Sequence, residues 1–104
     1  MSYEVKVDVF RSEKTGEVIP NQYILFDYSK NRIYFQSYNV TIAKVENPFN
    51  FRLEKITLYP LYNHSRTTSK YLYKFLQKYT LCNITCKKEL EKTIENGVIQ
   101  LVEE

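Results

Sequence analysis

Residues 67–80 read Thr67-Thr68-Ser69-Lys70-Tyr71-Leu72-Tyr73-Lys74-Phe75-Leu76-Gln77-Lys78-Tyr79-Thr80. Tyr71, Leu72, Phe75, Leu76 and Tyr79 recur at three- and four-residue intervals, which is the apolar stripe of an amphipathic α-helix. Ser65, Thr67 and Thr68 each suit its start, because a side-chain oxygen there accepts from a free amide of the first turn. Before this stretch the period is two. Tyr3, Val5, Val7 and Val9 alternate with Glu4, Lys6 and Asp8, a strand with its charged face in water.

Working outward, the turn Glu13-Lys14-Thr15-Gly16 and then Pro20-Asn21 lead into a second strand, 22–28. Ser29-Lys30-Asn31 connects it to a hairpin partner, 32–38, and Asn39 breaks the pattern before 40–45 continues it. A Pro-containing loop over 46–50 precedes a further strand over 51–59. Beyond the helix, Cys86, Leu90 and Ile94 predict a shorter helix over 86–95, which Asn96-Gly97 stops, and 98–102 a last strand returning to the sheet edge. The expected fold is α+β: a mostly antiparallel sheet of five to six strands, drawn from residues 3–59 plus 98–102, with helices at about 67–80 and 86–95 on one face.

The chain has 104 residues, 43% of them apolar and 26% charged, with ten Tyr and six Phe, enough to fold as one domain around its own core. No stretch reaches the ~18 uncharged apolar residues of a membrane span, and the charges of residues 1–10 exclude a signal-peptide core. The expected protein is soluble, intracellular and undivided. Lys, Asn, Ile and Tyr are abundant while Ala43 is the sole alanine, the bias of an A/T-rich genome.

Chemistry-bearing motifs are scarce. Cys82, Cys86 and His64 are one ligand short of a closed structural zinc site, so no metal and no cofactor is expected. The cysteines read as small buried apolar residues. Gly16 and Gly97 alone make no phosphate-binding loop, and no serine or cysteine has the setting of a nucleophile served by His64. The chain reads as a non-enzyme.

Charge is the stronger signal. Residues 1–54 are balanced, residues 55–88 carry seven bases and no acid, and residues 89–104 hold five glutamates and one lysine. Arg66, Lys70, Lys74 and Lys78 recur every fourth residue, so a helix gathers them into one cationic column with Tyr73 beside it. Two readings stand: a solvated lysine face, or a surface for an anionic partner such as DNA or RNA, or an acidic protein. Glu89, Glu91 and Glu95 would neutralise part of the column if the two helices pack side by side.

Phe35-Gln36-Ser37-Tyr38, Ile42-Ala43-Lys44, Ser65-Arg66-Thr67-Thr68-Ser69-Lys70-Tyr71 and Phe75-Leu76 together resemble a family of small uncharacterised bacteriophage proteins. The resemblance extends over most of residues 16–102. It departs at Tyr62-Asn63-His64-Ser65, where such proteins often carry Trp-Asp-Tyr-Ser. The resemblance implies a phage origin and action in the host cytoplasm, without a known activity. By analogy of class, such a protein binds a host protein or nucleoprotein complex and inhibits replication, transcription or a defence system such as a CRISPR nuclease. Gln36, Ser37, Thr67 and Arg66 are candidates either for an anion site where sheet meets helix or for a buried polar network fixing the helix in place.

Overall fold

The computed structural model describes residues 5–63 and 65–102. Its strands are β1 (Val5–Arg11), β2 (Val18–Asp27), β3 (Arg32–Ser37), β4 (Val40–Glu46), β5 (Lys55–Leu58) and β6 (Ile99–Leu101), and its helices are α1 (Arg66–Tyr79) and α2 (Lys87–Glu95). One six-stranded sheet runs in the order β1-β2-β3-β4-β5-β6. Every neighbouring pair is antiparallel except β5 and β6, which are parallel. A parallel pair needs a long crossover, and both helices lie in that one connection. The α+β class is therefore as expected, with a mixed sheet.

The helix-side face of the sheet carries Ile24 and Phe26 of β2 and Ile33 and Phe35 of β3. Val45 and Ala43 of β4, Ile56 and Leu58 of β5 and Ile99 of β6 continue it. Against this face α1 buries Tyr71, Leu72, Phe75, Leu76 and Tyr79. The rings interlock: Phe35 stacks on Phe75 at 5.6 Å, Phe26 meets Tyr79 at 5.4 Å and Phe10 meets Tyr71 at 5.1 Å. Each such side chain contributes about 1.5–3 kcal/mol by leaving water, so this layer holds α1 to the sheet.

The ends of the helices follow from local hydrogen bonds. Ser65 caps α1, its hydroxyl accepting from the Thr68 N–H at 3.1 Å. At the end of α2 the N–H of Gly97 donates to the Ile94 carbonyl and that of Val98 to the Thr93 carbonyl. Gly97 sits at φ 78°, the left-handed conformation this closure requires. Cys86 occupies the cap position of α2 and is exposed, and Cys82 is half-buried. Of the expected buried set Cys86, Leu90 and Ile94, only Leu90 is fully buried: Ile94 is half-buried against the core, and Cys86 is the cap residue just outside the helix.

Three strands differ from their sequence reading. β2 begins at Val18, four residues before the expected start, so Pro20 and Asn21 lie within the strand. β1 is turned over: Lys6 and Asp8 lie opposite Phe26 and Ile24 on the helix side, and Val7 and Val9 lie opposite Leu25 and Tyr23 on the outer face. Phe10 explains the choice. It shares the face of Lys6 and Asp8 and reaches the aromatic layer, so one large ring inward prevails over the valines left on the outer face. The strand expected over 51–59 shortens to 55–58, because the Asn50 side chain accepts from the Arg52 and Leu53 amides and bends the chain into a turn. Tyr3 and Glu4, expected to open β1, lie outside the described residues, as does His64.

Candidate anion-binding groove

The sheet holds α1 by its apolar stripe, which leaves the opposite flank to face α2. Gln77 ties the two helices' connection in place, its amide donating to the Ile84 carbonyl at 2.7 Å. Between α1 and α2 runs a groove of about 800 Å³. Arg66, Lys70, Tyr73 and Lys74 line it from α1, Lys87 and Glu91 from α2, and Tyr62 from the preceding loop. Four cations thus face one carboxylate, an excess of three positive charges equal to the net charge of the whole chain.

That carboxylate is occupied within its own helix. Glu91 lies 3.8 Å from Lys87, one turn away. Glu89 accepts from the backbone and hydroxyl of Thr85 at the start of α2, and these hydrogen bonds hold its carboxyl below the usual range. Among the described residues no acid of α2 pairs with the α1 column. The neutralisation that side-by-side packing would bring is not made by Glu89, Glu91 or Glu95. The ion pair the column does make is Lys74 with Glu13 of the β1–β2 loop, at 3.6 Å. Glu13 is 87% exposed, so this contact contributes little.

Aromatic rings organise the column. The ammonium groups of Lys70 and Lys74 lie 5.5 and 5.6 Å from the centre of the Tyr71 ring, and that of Lys78 lies 5.4 Å from Tyr79. Attraction of a cation to the ring face holds these side chains along the buried tyrosines with their heads in water. Tyr71 and Tyr79 are themselves buried and have no face to offer a ligand. Tyr62 and Tyr73, half-buried in the groove wall, do. Burial pushes the Tyr73 hydroxyl above the ordinary tyrosine range, so it remains a neutral donor at physiological pH.

The candidate residues therefore divide. Arg66, Lys70, Lys74 and Tyr73 share the groove. Lys78 does not line it; it borders a second depression of about 590 Å³ with Asp8, Arg11 and Glu13. Ser37 is buried and its hydroxyl is 3.0 Å from that of Thr68, which the Ser65 hydroxyl also reaches at 3.1 Å. This is a polar network fixing the start of α1 on the sheet. Gln36 is not part of it, since its side chain lies on the outer face and donates to the Tyr38 carbonyl. Thr67 is exposed on α1. The groove adds Lys87, which the helical spacing alone could not select, and brings in Tyr62, which the sequence places only near the column. Lys87 was legible only as one more base in the acid-free stretch, because its place depends on how α2 folds back.

Among the described residues no three or more His, Cys, Asp and Glu side chains are grouped to hold a metal ion, and no helix is long and apolar enough to cross a membrane. No curated protein and no solved structure matches the chain. One family model does, over residues 5–92, from β1 into α2: the chain belongs to DUF8033, a family of unknown function.

Proposed function

We propose that the chain is a non-enzymatic bacteriophage protein that works in the host cytoplasm by binding the phosphate backbone of a host nucleic acid or nucleoprotein complex in the α1–α2 groove. A guide-bearing defence nuclease or a replication or transcription complex is such a target. One observation carries the reading: Arg66, Lys70, Lys74 and Lys87 surround a single groove that also presents Tyr62 and Tyr73. Like charges four apart on a helix repel by about 0.2–0.5 kcal/mol per pair, a cost that a bound polyanion reverses. Tyrosines beside a cationic track allow unpaired bases to stack without reading sequence. The phage setting rests on the motif resemblance.

Fluorescence anisotropy with a labelled single-stranded oligonucleotide tests the groove. Binding is expected to weaken as salt rises, with a log–log slope of about −2 to −3 if three or four phosphates are neutralised. Exchanging Lys70→Glu together with Lys87→Glu should lower affinity at least tenfold, whereas Lys78→Glu, outside the groove, should change it about twofold or less. Absence of binding at low salt, or equal loss in the two variants, would remove the nucleic-acid reading. A host protein captured equally well after nuclease treatment would replace it with an acidic protein surface.

A further inference from the structure

Among the described residues no strand pairs with the outer edge of β1. The ladder determines which backbone groups that edge presents. The Tyr38 N–H donates to the Asn21 carbonyl at 2.6 Å, which makes the odd-numbered residues of β2 those that bond to β3. Bonding direction alternates along an antiparallel strand, so the even-numbered residues of β2 bond to β1. Ile24 and Phe26 lie opposite Asp8 and Lys6, which therefore turn their backbone groups toward the sheet. Val5, Val7 and Val9 turn theirs outward. Val9 agrees with this, because its N–H is taken by the Asp8 side chain at 2.8 Å and not by β2.

We propose that this edge pairs with the β1 edge of a second copy, antiparallel about a two-fold axis at Val7, joining two six-stranded sheets into one. The charges choose the register. Side chains must keep their faces, so only registers shifted in steps of two residues are open. An axis at Lys6 sets Lys6 against itself, and an axis at Asp8 sets Asp8 against itself. An axis at Val7 sets Lys6 opposite the partner's Asp8, and Asp8 opposite the partner's Lys6. Directly opposed unlike charges stabilise a strand pair and like charges destabilise it, so of these three registers only the one centred on Val7 attracts.

The backbone supports the same centre. With Val7 facing outward, Val7 and its counterpart exchange both N–H···O bonds, which leaves Lys6 and the partner's Asp8 at a non-hydrogen-bonded position, where opposed side chains lie closer. Asp8 releases the Val9 N–H as it takes up the ammonium, and that N–H then donates to the partner's Val5. On the outer face Val7, 57% exposed, meets its own copy next to Leu25. The opposite edge of the sheet, β6, has only three residues and offers far less. Among the described residues no β1 residue lines the α1–α2 groove, although Lys74 borders both that groove and the depression lined by Asp8, so dimerisation and anion binding are tested at different residues.

Sedimentation equilibrium on the full chain tests the pairing, with circular dichroism confirming that each variant is folded. The wild-type mass should rise with concentration toward twice 12.5 kDa. Lys6→Asp alone and Asp8→Lys alone each oppose like charges at two positions and should weaken the dimer about tenfold or more. An equimolar mixture of the two single variants should recover dimers, since every opposed pair is then unlike, and so should the double exchange Lys6→Asp with Asp8→Lys in one chain. A wild type that stays monomeric at about 0.1 mM overturns the proposal, as do single variants that dimerise as tightly as the parent or a mixture that fails to associate.

Discussion

Gln22 is fully buried on the helix side of β2, and neither its amide nitrogen nor its amide oxygen has a hydrogen-bond partner among the described residues. Its neighbour across the ladder is Ser37, whose hydroxyl is engaged with Thr68. A buried amide without partners costs about 1–3 kcal/mol, more than its apolar contacts of the same shape would lose. Gln22→Met keeps the volume and removes both polar atoms. It is expected to raise the urea midpoint by an equivalent of about 1–2 kcal/mol, and a fall in the midpoint would mean that the amide is satisfied. The same strands show what was legible residue by residue. Gln36 and Ser37 are adjacent, and alternation alone sends adjacent side chains to opposite faces, so one site could not hold both. Gln22 carried no signal, because a glutamine in a strand reads as a water-facing residue until its partner strands are known.

Elements were most legible where one period ran uninterrupted. The stripe from Tyr71 to Tyr79 placed α1 to within a residue at each end, and Asn96-Gly97 marked the end of α2. Where short side chains bond the backbone, the pattern misled: Asn50 bends a stretch whose Phe51 and Leu53 alternate as a strand would, and leaves both exposed. The β3–β4 hairpin carries a contact that can be titrated. Lys44 lies 2.9 Å from Glu46 on the outer face, with Arg32 at 3.9 Å. Hydrogen bonding to Lys44 holds the Glu46 carboxyl below its ordinary value of 4.5, and the same bond raises the Lys44 ammonium. A lowered carboxyl stabilises the fold above its ordinary value and ceases to do so as pH falls through the folded value. Glu46→Gln should therefore destabilise by about 0.2–1 kcal/mol at neutral pH. In denaturant titrations the difference should close as pH falls below 4.5, and a difference constant down to that limit would assign it to packing.

For the whole molecule, composition and period together sufficed for the class, because a run of strands followed by two helices admits few arrangements other than a sheet covered on one side. The groove was only half legible. Spacing on one helix gathered Arg66, Lys70 and Lys74, but Lys87 arrives through the fold of α2, and the sheet's geometry removes Lys78 to another depression. The family match ends at residue 92, inside α2, whereas the folded unit continues to β6. Ile99 is 1% exposed and lies beside Ile56, Leu101 pairs with Leu58, and the Val102 N–H donates to the Leu58 carbonyl at 2.8 Å. Without β6 the strand β5, whose Ile56 and Leu58 are core residues, would become an open edge. Ile99→Ala should then cost about 2–5 kcal/mol, as for a large aliphatic side chain in a core that cannot collapse around the vacancy. That is a large part of the ~5–15 kcal/mol by which a domain of this size is stable. Equilibrium unfolding in urea measures it, and a cost near or below about 0.5 kcal/mol, the range of surface substitutions, would make β6 peripheral and the family-matched segment the true folding unit.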